Sequence, residues 1–282
     1  FSTHSFHLDW SLYHEADKAT KNGYAGTSWD GTELTRRMDK ARAELEVLRR
    51  PARTIDPGAY RVYLAPSAVE EITGLLSWGG FGMKAQRSKR SPLQRAVDGK
   101  VTVDPRVTIS EHPGAGLGPD FGGGGFKKPK RVTMVREGKY ADALISPRSA
   151  KEYGVTTNGA GSHEAPESLE MEAGELDQDT MLETLGTGIW VNNLWYLNYS
   201  DLPACRMTGM TRFATLWVED GEVVAPLNVM RFDDSFYRIF GDGLVGLTKQ
   251  RELLLSASTY GKRSTGSALL PGALVDGFKF TL

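Results

Sequence analysis

Residues 214–227 read ATLWVEDGEVVAPL, and Asp220-Gly221 at their centre separates two β-rich runs, Ala214–Glu219 and Glu222–Leu227. Asp-Gly accepts the left-handed backbone that a two-residue hairpin turn demands, so the segment reads as a β-hairpin. A second pair of runs, Val132–Glu137 and Tyr140–Ile145, stands around Gly138 on the same plan. Outward from these, Trp190–Leu197 (WVNNLWYL), Gly266–Leu282 and Tyr60–Ala65 (YRVYLA) read as further strands. At the start of the chain Phe6, Leu8, Trp10 and Leu12 alternate with His7, Asp9 and Ser11, the period of a half-buried strand.

Helices are fewer. Leu34, Met38, Ala41, Leu45 and Leu48 recur at helical spacing between Glu33 and Leu48, and Pro51 closes that helix. Pro66 and Ser67 open a second one. Ser67 with Glu70 makes a capping-box pattern, Val69, Ile72, Leu75 and Leu76 form the apolar face, and Gly79-Gly80 ends it. Asp179-Thr180 starts a third, carrying Met181, Leu182 and Leu185. Lys84–Lys130, with Gly122–Gly125 inside it, has no such pattern, and a loop of that length is expected to be functional or partly disordered. Glycine, at 32 of 282 residues, exceeds the usual ~7% and gathers between short β-like runs. No composition boundary divides the chain. The expectation is a single α+β domain over residues 1–282, built mostly of antiparallel sheet.

Composition narrows the function. Charged residues at 24% and hydrophobic ones at 40% are ordinary for a soluble globular chain. A net charge of −1 argues against a general electrostatic grip on nucleic acid or anionic membrane. No apolar run approaches the roughly 18 residues that cross a bilayer. The opening FSTHSFHLDW lacks the basic start and apolar stretch of a signal peptide. Cys205 is the single cysteine, which leaves no internal disulfide and fits a reducing, cytoplasmic compartment. Phe1 in place of methionine leads us to expect a fragment or processed product of a longer chain.

The candidate chemical sites each have a simpler explanation. On a strand His4 and His14 face one side and His7 the other, so the three do not surround one ion. His163-Glu164 resembles the start of a zinc helix, but the fourth residue on is Glu167 and Pro166 breaks the turn. Glu164, Glu167, Glu170 and Glu172 then read as a solvated acidic loop. Glu111 and His112 are adjacent on extended chain and point apart. Gly122–Gly125 is followed by no Gly-Lys-Ser/Thr, so it reads as flexible loop, able to let a backbone come close to a bound peptide. Cys205 lacks a positioned base in the sequence. Asn198-Tyr199-Ser200 matches a glycosylation acceptor and, without a secretory signal, carries no weight. Arg87, Lys89, Arg90 and Arg95 cluster without interleaved aromatics, a weak nucleic-acid signal.

Several segments together resemble the TldD/PmbA family. GTGIWVNNLWYLNYSDLPACRMTGMTR after Met181-Leu182 is similar to the family's glycine turn and following strand, and LWVEDGEVVAPL (Leu216–Leu227) to its hairpin. VTISEHP (Val107–Pro113), VREGKYADALISPRSAKEYGV (Val135–Val155) and STGSALLPGALVDGFKF resemble the PmbA, or TldE, branch. The resemblance spans nearly the whole chain. It implies the family's carboxy-terminal domain, with the amino-terminal α/β domain absent from this chain.

The resemblance also implies a zinc peptidase in the TldD branch, with an HExxxH helix and a distant cysteine ligand. The matching helix here, Val69–Trp78, has no histidine, and no cysteine follows Leu247. The resemblance therefore implies a metal-free PmbA-like chain without catalytic residues, with zinc expected in a TldD-like partner subunit. An unfolded peptide is the implied substrate, held in a cleft at Asn158, Gly159 and His163 of one loop and at Ile189, Val191, Asn192 and Asn193 of one strand. Six tryptophans fit a heterodimer or homodimer. The alternatives are a metallopeptidase using His112, His163 and Cys205, and a topoisomerase-associated regulator using the basic cluster.

Overall fold

The computed structural model describes residues 1–281. In chain order the elements are β1 (Phe6–Glu15), β2 (Lys18–Gly26), α1 (Gly31–Leu48), β3 (Gly58–Leu64), α2 (Pro66–Leu76), α3 (Met83–Arg87), α4 (Gln94–Val97), β4 (Ile109–Glu111), β5 (Val132–Arg136) and β6 (Lys139–Tyr140). Then come α5 (Pro147–Tyr153), β7 (Ser168–Met171), α6 (Met181–Leu185), β8 (Gly188–Asp201), β9 (Arg206–Glu219), β10 (Glu222–Pro226), β11 (Arg231–Ser235), α7 (Phe236–Ile239), β12 (Leu244–Leu255) and β13 (Ser267–Phe280).

The centre of the molecule is set by strands that are apolar on both faces. In β3, Val62 and Leu64 point into one core and Tyr63 into the other. In β8, Ile189 and Val191 join the first core and Trp190 the second, where its ring meets that of Tyr63 at 4.3 Å. Period-two alternation with apolar residues at every position forces such strands inside a sheet covered on both sides. The sheet runs β10-β9-β8-β3-β13-β7-β4-β5-β6, with β11 against β9 and β13, and β12 against β13. It is antiparallel except where β3 meets β8 and β13 meets β7. The fold is α+β.

Helix α2 covers the first core with Ala68, Val69, Ile72, Leu75 and Leu76, each at most 4% exposed. Burying a side chain of this kind is worth about 1.5–3 kcal/mol, so this face alone fixes where the helix lies. Its N-cap is Ala65, with Pro66 in the first turn and no side-chain cap. The expected Ser67–Glu70 capping box therefore does not form, because Ser67 already lies inside the helix, and the helix ends at Leu76, before Gly79-Gly80. The second core is closed by Leu48 of α1, Met181 and Leu185.

The β9–β10 hairpin turns as expected. Asp220 and Gly221 both have positive φ, +49° and +80°, and the Gly221 amide donates to the Gly186 carbonyl at 2.9 Å. The second expected hairpin is cut short: β6 holds two residues, and Leu144 leaves the ladder to bridge Gly82. The stretch Lys84–Lys130 is more regular than anticipated, since α3, α4 and β4 lie in it. β1 and β2 form a separate two-stranded sheet that leans on α1 and β12. No helix among the described residues is long and apolar enough to cross a membrane.

Candidate functional site

The hairpin β1–β2, helix α2 and strand β12 enclose a cleft of about 500 Å³. One wall is β2 at Lys21–Ala25, the floor is Ser67–Ser77 of α2 and its C-cap, and the other wall is β12 from Glu252 on to Ala257. β12 pairs with β13 along one edge, but its opposite edge at Arg251–Leu255 carries no ladder among the described strands. Its β13 partners Ser267 and Ala268 and Leu169 of β7 line the cleft beside it, and an edge without a ladder keeps main-chain donors and acceptors available to another strand. A second cavity of about 550 Å³ lies on the far side of Glu70, Glu71 and Gly74, walled by Leu75, Trp78, Trp195 and Tyr196. The two cavities share those three residues. A methyl at position 74 would sit at ordinary contact distance, 3.8 Å, from Glu70 Oε1.

The cleft is polar at its floor. Burial raises the pKa of Glu70. Burial and then the neighbouring Glu70 charge push Glu71 up to about 7, against the pull of Lys21. No hydrogen bond offsets either shift. Asn193 Oδ1 lines the same cleft, buried and without a hydrogen-bond partner among the described residues. Glu252 is different, because Arg37 of α1 pairs with it. Arg37 Nη1 also donates to the Gly23 carbonyl at 2.6 Å and so pins β2 to β12.

The residues anticipated from sequence do not form one site. Ile189 and Val191 are buried in a strand paired with β3 on one side and β9 on the other, so that stretch offers no free edge for a peptide. Asn192 is buried too: it accepts from Trp190 Nε1 at 2.8 Å and donates to Glu44 Oε1 at 3.0 Å. Asn193 alone of that strand set reaches the cleft. Asn158 holds a turn together, accepting from the Ile145 amide and donating to the Ala143 carbonyl. Gly159 is buried and His163 is exposed, and neither lines the cleft.

The acidic loop is solvated only in part: Glu172 is exposed and Glu167 half-buried, whereas the other two glutamates are not open to solvent. Glu164 is 2% exposed and accepts from Ser146 and the Lys84 amide. Glu170 is also buried, and although burial pushes its carboxyl up, Arg251, His112 and Arg131 hold it below the usual range. Glu111 accepts from the amides of Glu167 and Ser168, while His112 pairs with Glu170 at 2.8 Å, so the two neighbours part as the sequence implied. Cys205 is wholly buried and its thiol is pushed up by burial.

A zinc site needs three or four converging Cys, His or carboxylate ligands. Among the described residues no three such side chains converge, and His112, His163 and Cys205 stay apart. Helix α2 offers two carboxylates and neither imidazole nor thiolate, so its residues do not fit a zinc ion. In the basic cluster, Lys89 pairs with Asp98 and Arg87 and Arg95 lie over Tyr153 and Tyr237. What sequence reading missed is the set Lys21, Glu70, Glu71, Trp78, Trp195 and Tyr196. The signal was the Glu70-Glu71 pair on a helix otherwise apolar, with Trp195-Tyr196 side by side where a buried strand would alternate.

Residues 57–282 match the family model of the PmbA/TldA metallopeptidase C-terminal domain. Among solved structures, TldE from Thermococcus kodakarensis superposes with a TM-score of 0.80 at 13% identity over 99% of this chain and 62% of that one. A candidate modulator of a DNA gyrase from Thermotoga maritima gives 0.77 at 16% identity, over 98% of this chain and 62% of that one. A candidate modulator of DNA gyrase from Bacteroides thetaiotaomicron gives 0.71 at 16%, over 98% and 59%. The chain thus spans about three fifths of the length of these structures. No curated protein matches the sequence.

Proposed function

The chain belongs to the PmbA/TldA metallopeptidase family through its C-terminal domain, and from this we propose that it is a peptide-holding, metal-free subunit of a TldD/TldE-type peptidase. Its role is to seat an unfolded peptide beside a zinc-bearing TldD-like partner, which cuts it. The observation that carries this reading is a cleft lined by β12, a strand whose edge at Arg251–Leu255 carries no ladder among the described strands. An extended peptide laid against that edge gains main-chain hydrogen bonds whatever its side chains are, which suits a site for unfolded chains. The absence of an imidazole or thiolate on α2 supports leaving hydrolysis to the partner. The lone buried thiol supports a reducing, cytoplasmic setting.

The test is metal content and cleavage, measured on this chain alone and after mixing with a zinc-bearing TldD-type subunit. We expect no stoichiometric zinc and no cleavage from the chain alone. The pair should hold about one zinc, as a single catalytic site requires, and should cleave an unfolded peptide. One zinc per isolated chain would overturn the proposal.

A further inference from the structure

We propose that the cleft selects its peptides by an alkylammonium group, a lysine side chain or a free amino terminus. That group sits between the Glu70 and Glu71 carboxylates and the aromatic wall of Trp78, Trp195 and Tyr196. The inference rests on the peptide-holding reading and adds a substrate preference to it.

Three observations lead here. The first is charge. The groups facing the cleft are Asp9 and His7 of β1, Lys21 of β2, Glu70 and Glu71 of α2 and Glu252 of β12. Glu252 is already paired with Arg37, so Lys21 is the one full positive charge facing three carboxylates. The adjoining cavity has Glu70 and Glu71 in its lining and no basic residue. Partly buried carboxylates without a partner raise the energy of the empty site, and a cation lowers it.

The second is the wall. Trp78 and Tyr196 are 77% and 76% exposed, yet both line the cavity that holds the two carboxylates. The β8–β9 register shifts between Trp195 and Asn198, and Tyr196 takes a φ of +57°, which turns successive rings out of the ladder. Aromatic faces attract ammonium and guanidinium groups and also pack against the alkyl stem behind an ammonium. Trp195 already carries the Arg212 guanidinium over its ring at 4.0 Å, with Arg212 outside the cavity lining.

The third separates an organic cation from a metal ion. Calcium or magnesium takes about six to eight oxygen ligands. Only Glu70 and Glu71 line the aromatic-walled cavity, and among the described residues no three acidic, histidine or cysteine side chains, Asp9 and His7 of the cleft included, converge to hold an ion.

The experiment is fluorescence anisotropy with four labelled unfolded peptides of one length. They carry a central lysine or norleucine, each with a free or an acetylated amino terminus, and are titrated with the chain at pH 8. At least one ammonium-bearing peptide should bind about tenfold tighter than the acetylated norleucine peptide. Which substitution removes the preference identifies the side chain or the terminus as its source. In the E70Q/E71Q double variant the ratio should fall to about one, and in W78A, on the exposed rim, it should fall to about a third of its value. Equal binding of all four peptides refutes the ammonium preference and leaves peptide holding intact. Binding of none refutes both.

Discussion

Glu71 makes the residue scale measurable. Its carboxyl is pushed up to about 7 by burial and by Glu70, so the folded chain favours the protonated form. An acid whose folded pKa lies above its unfolded value costs no stability below the unfolded value near 4.5. The cost grows as pH rises and is complete above about 7. E71Q removes that cost. We expect it to stabilise the chain by about 1–2 kcal/mol at pH 8, after allowing for partial solvent screening, and by nothing measurable at pH 4. Thermal unfolding at the two values checks this, and equal shifts at both would refute it. The sequence names Glu70 and Glu71 but not their setting. The sequence offers Glu70 as a capping residue, whereas the cleft that holds it is walled by β2 and β12, which are remote in sequence. Asn192 fails in the opposite direction. It is polar and lies beside Asn193, yet its side chain is committed to Trp190 and Glu44, contacts that require α1 to be in place.

Among the elements, those with one dominant physical signal were legible. YRVYLA reads as a strand and Asp220-Gly221 as a turn, and the structure has both. β2 and β12 were not. KATKNGYAG has Tyr24 as its one large apolar residue and no period-two apolar pattern, and Leu253-Leu254-Leu255 is a run without period. These two strands make the walls of the cleft, so the site was hidden because its walls were. What holds β2 in position is Arg37, which joins the Gly23 carbonyl to Glu252 across the cleft. R37A should release the hairpin without unfolding the sheet. A loss of about 1–2 kcal/mol there corresponds to amide exchange about tenfold faster in Lys18–Gly26, with β3 and β8 unchanged. Unchanged exchange in the hairpin would show that α1 alone positions it. At the floor, I72A in α2 should cost about 2–5 kcal/mol by opening a cavity in the first core, readable in denaturant midpoints.

At the scale of the whole molecule, β13 ties the sheet together. It pairs with β12 along one edge, with β3 and β7 along the other, and touches β11. A chain ended at Gly266 should therefore show no cooperative unfolding transition, whereas the full chain should show one. A cooperative transition in the shortened chain would mean that β3 and β8 suffice. The position of β13 also sets a clock on biosynthesis. Leu64 leaves the ribosome about 200 residues before Ser267, which at roughly 5–20 residues per second is about 10–40 seconds. Through that interval the edge of β3 that β13 will cover is bare, as is the apolar face of α2 that packs on it. Slow codons between β3 and β13 would lengthen the exposure of these surfaces and with it the opportunity for aggregation.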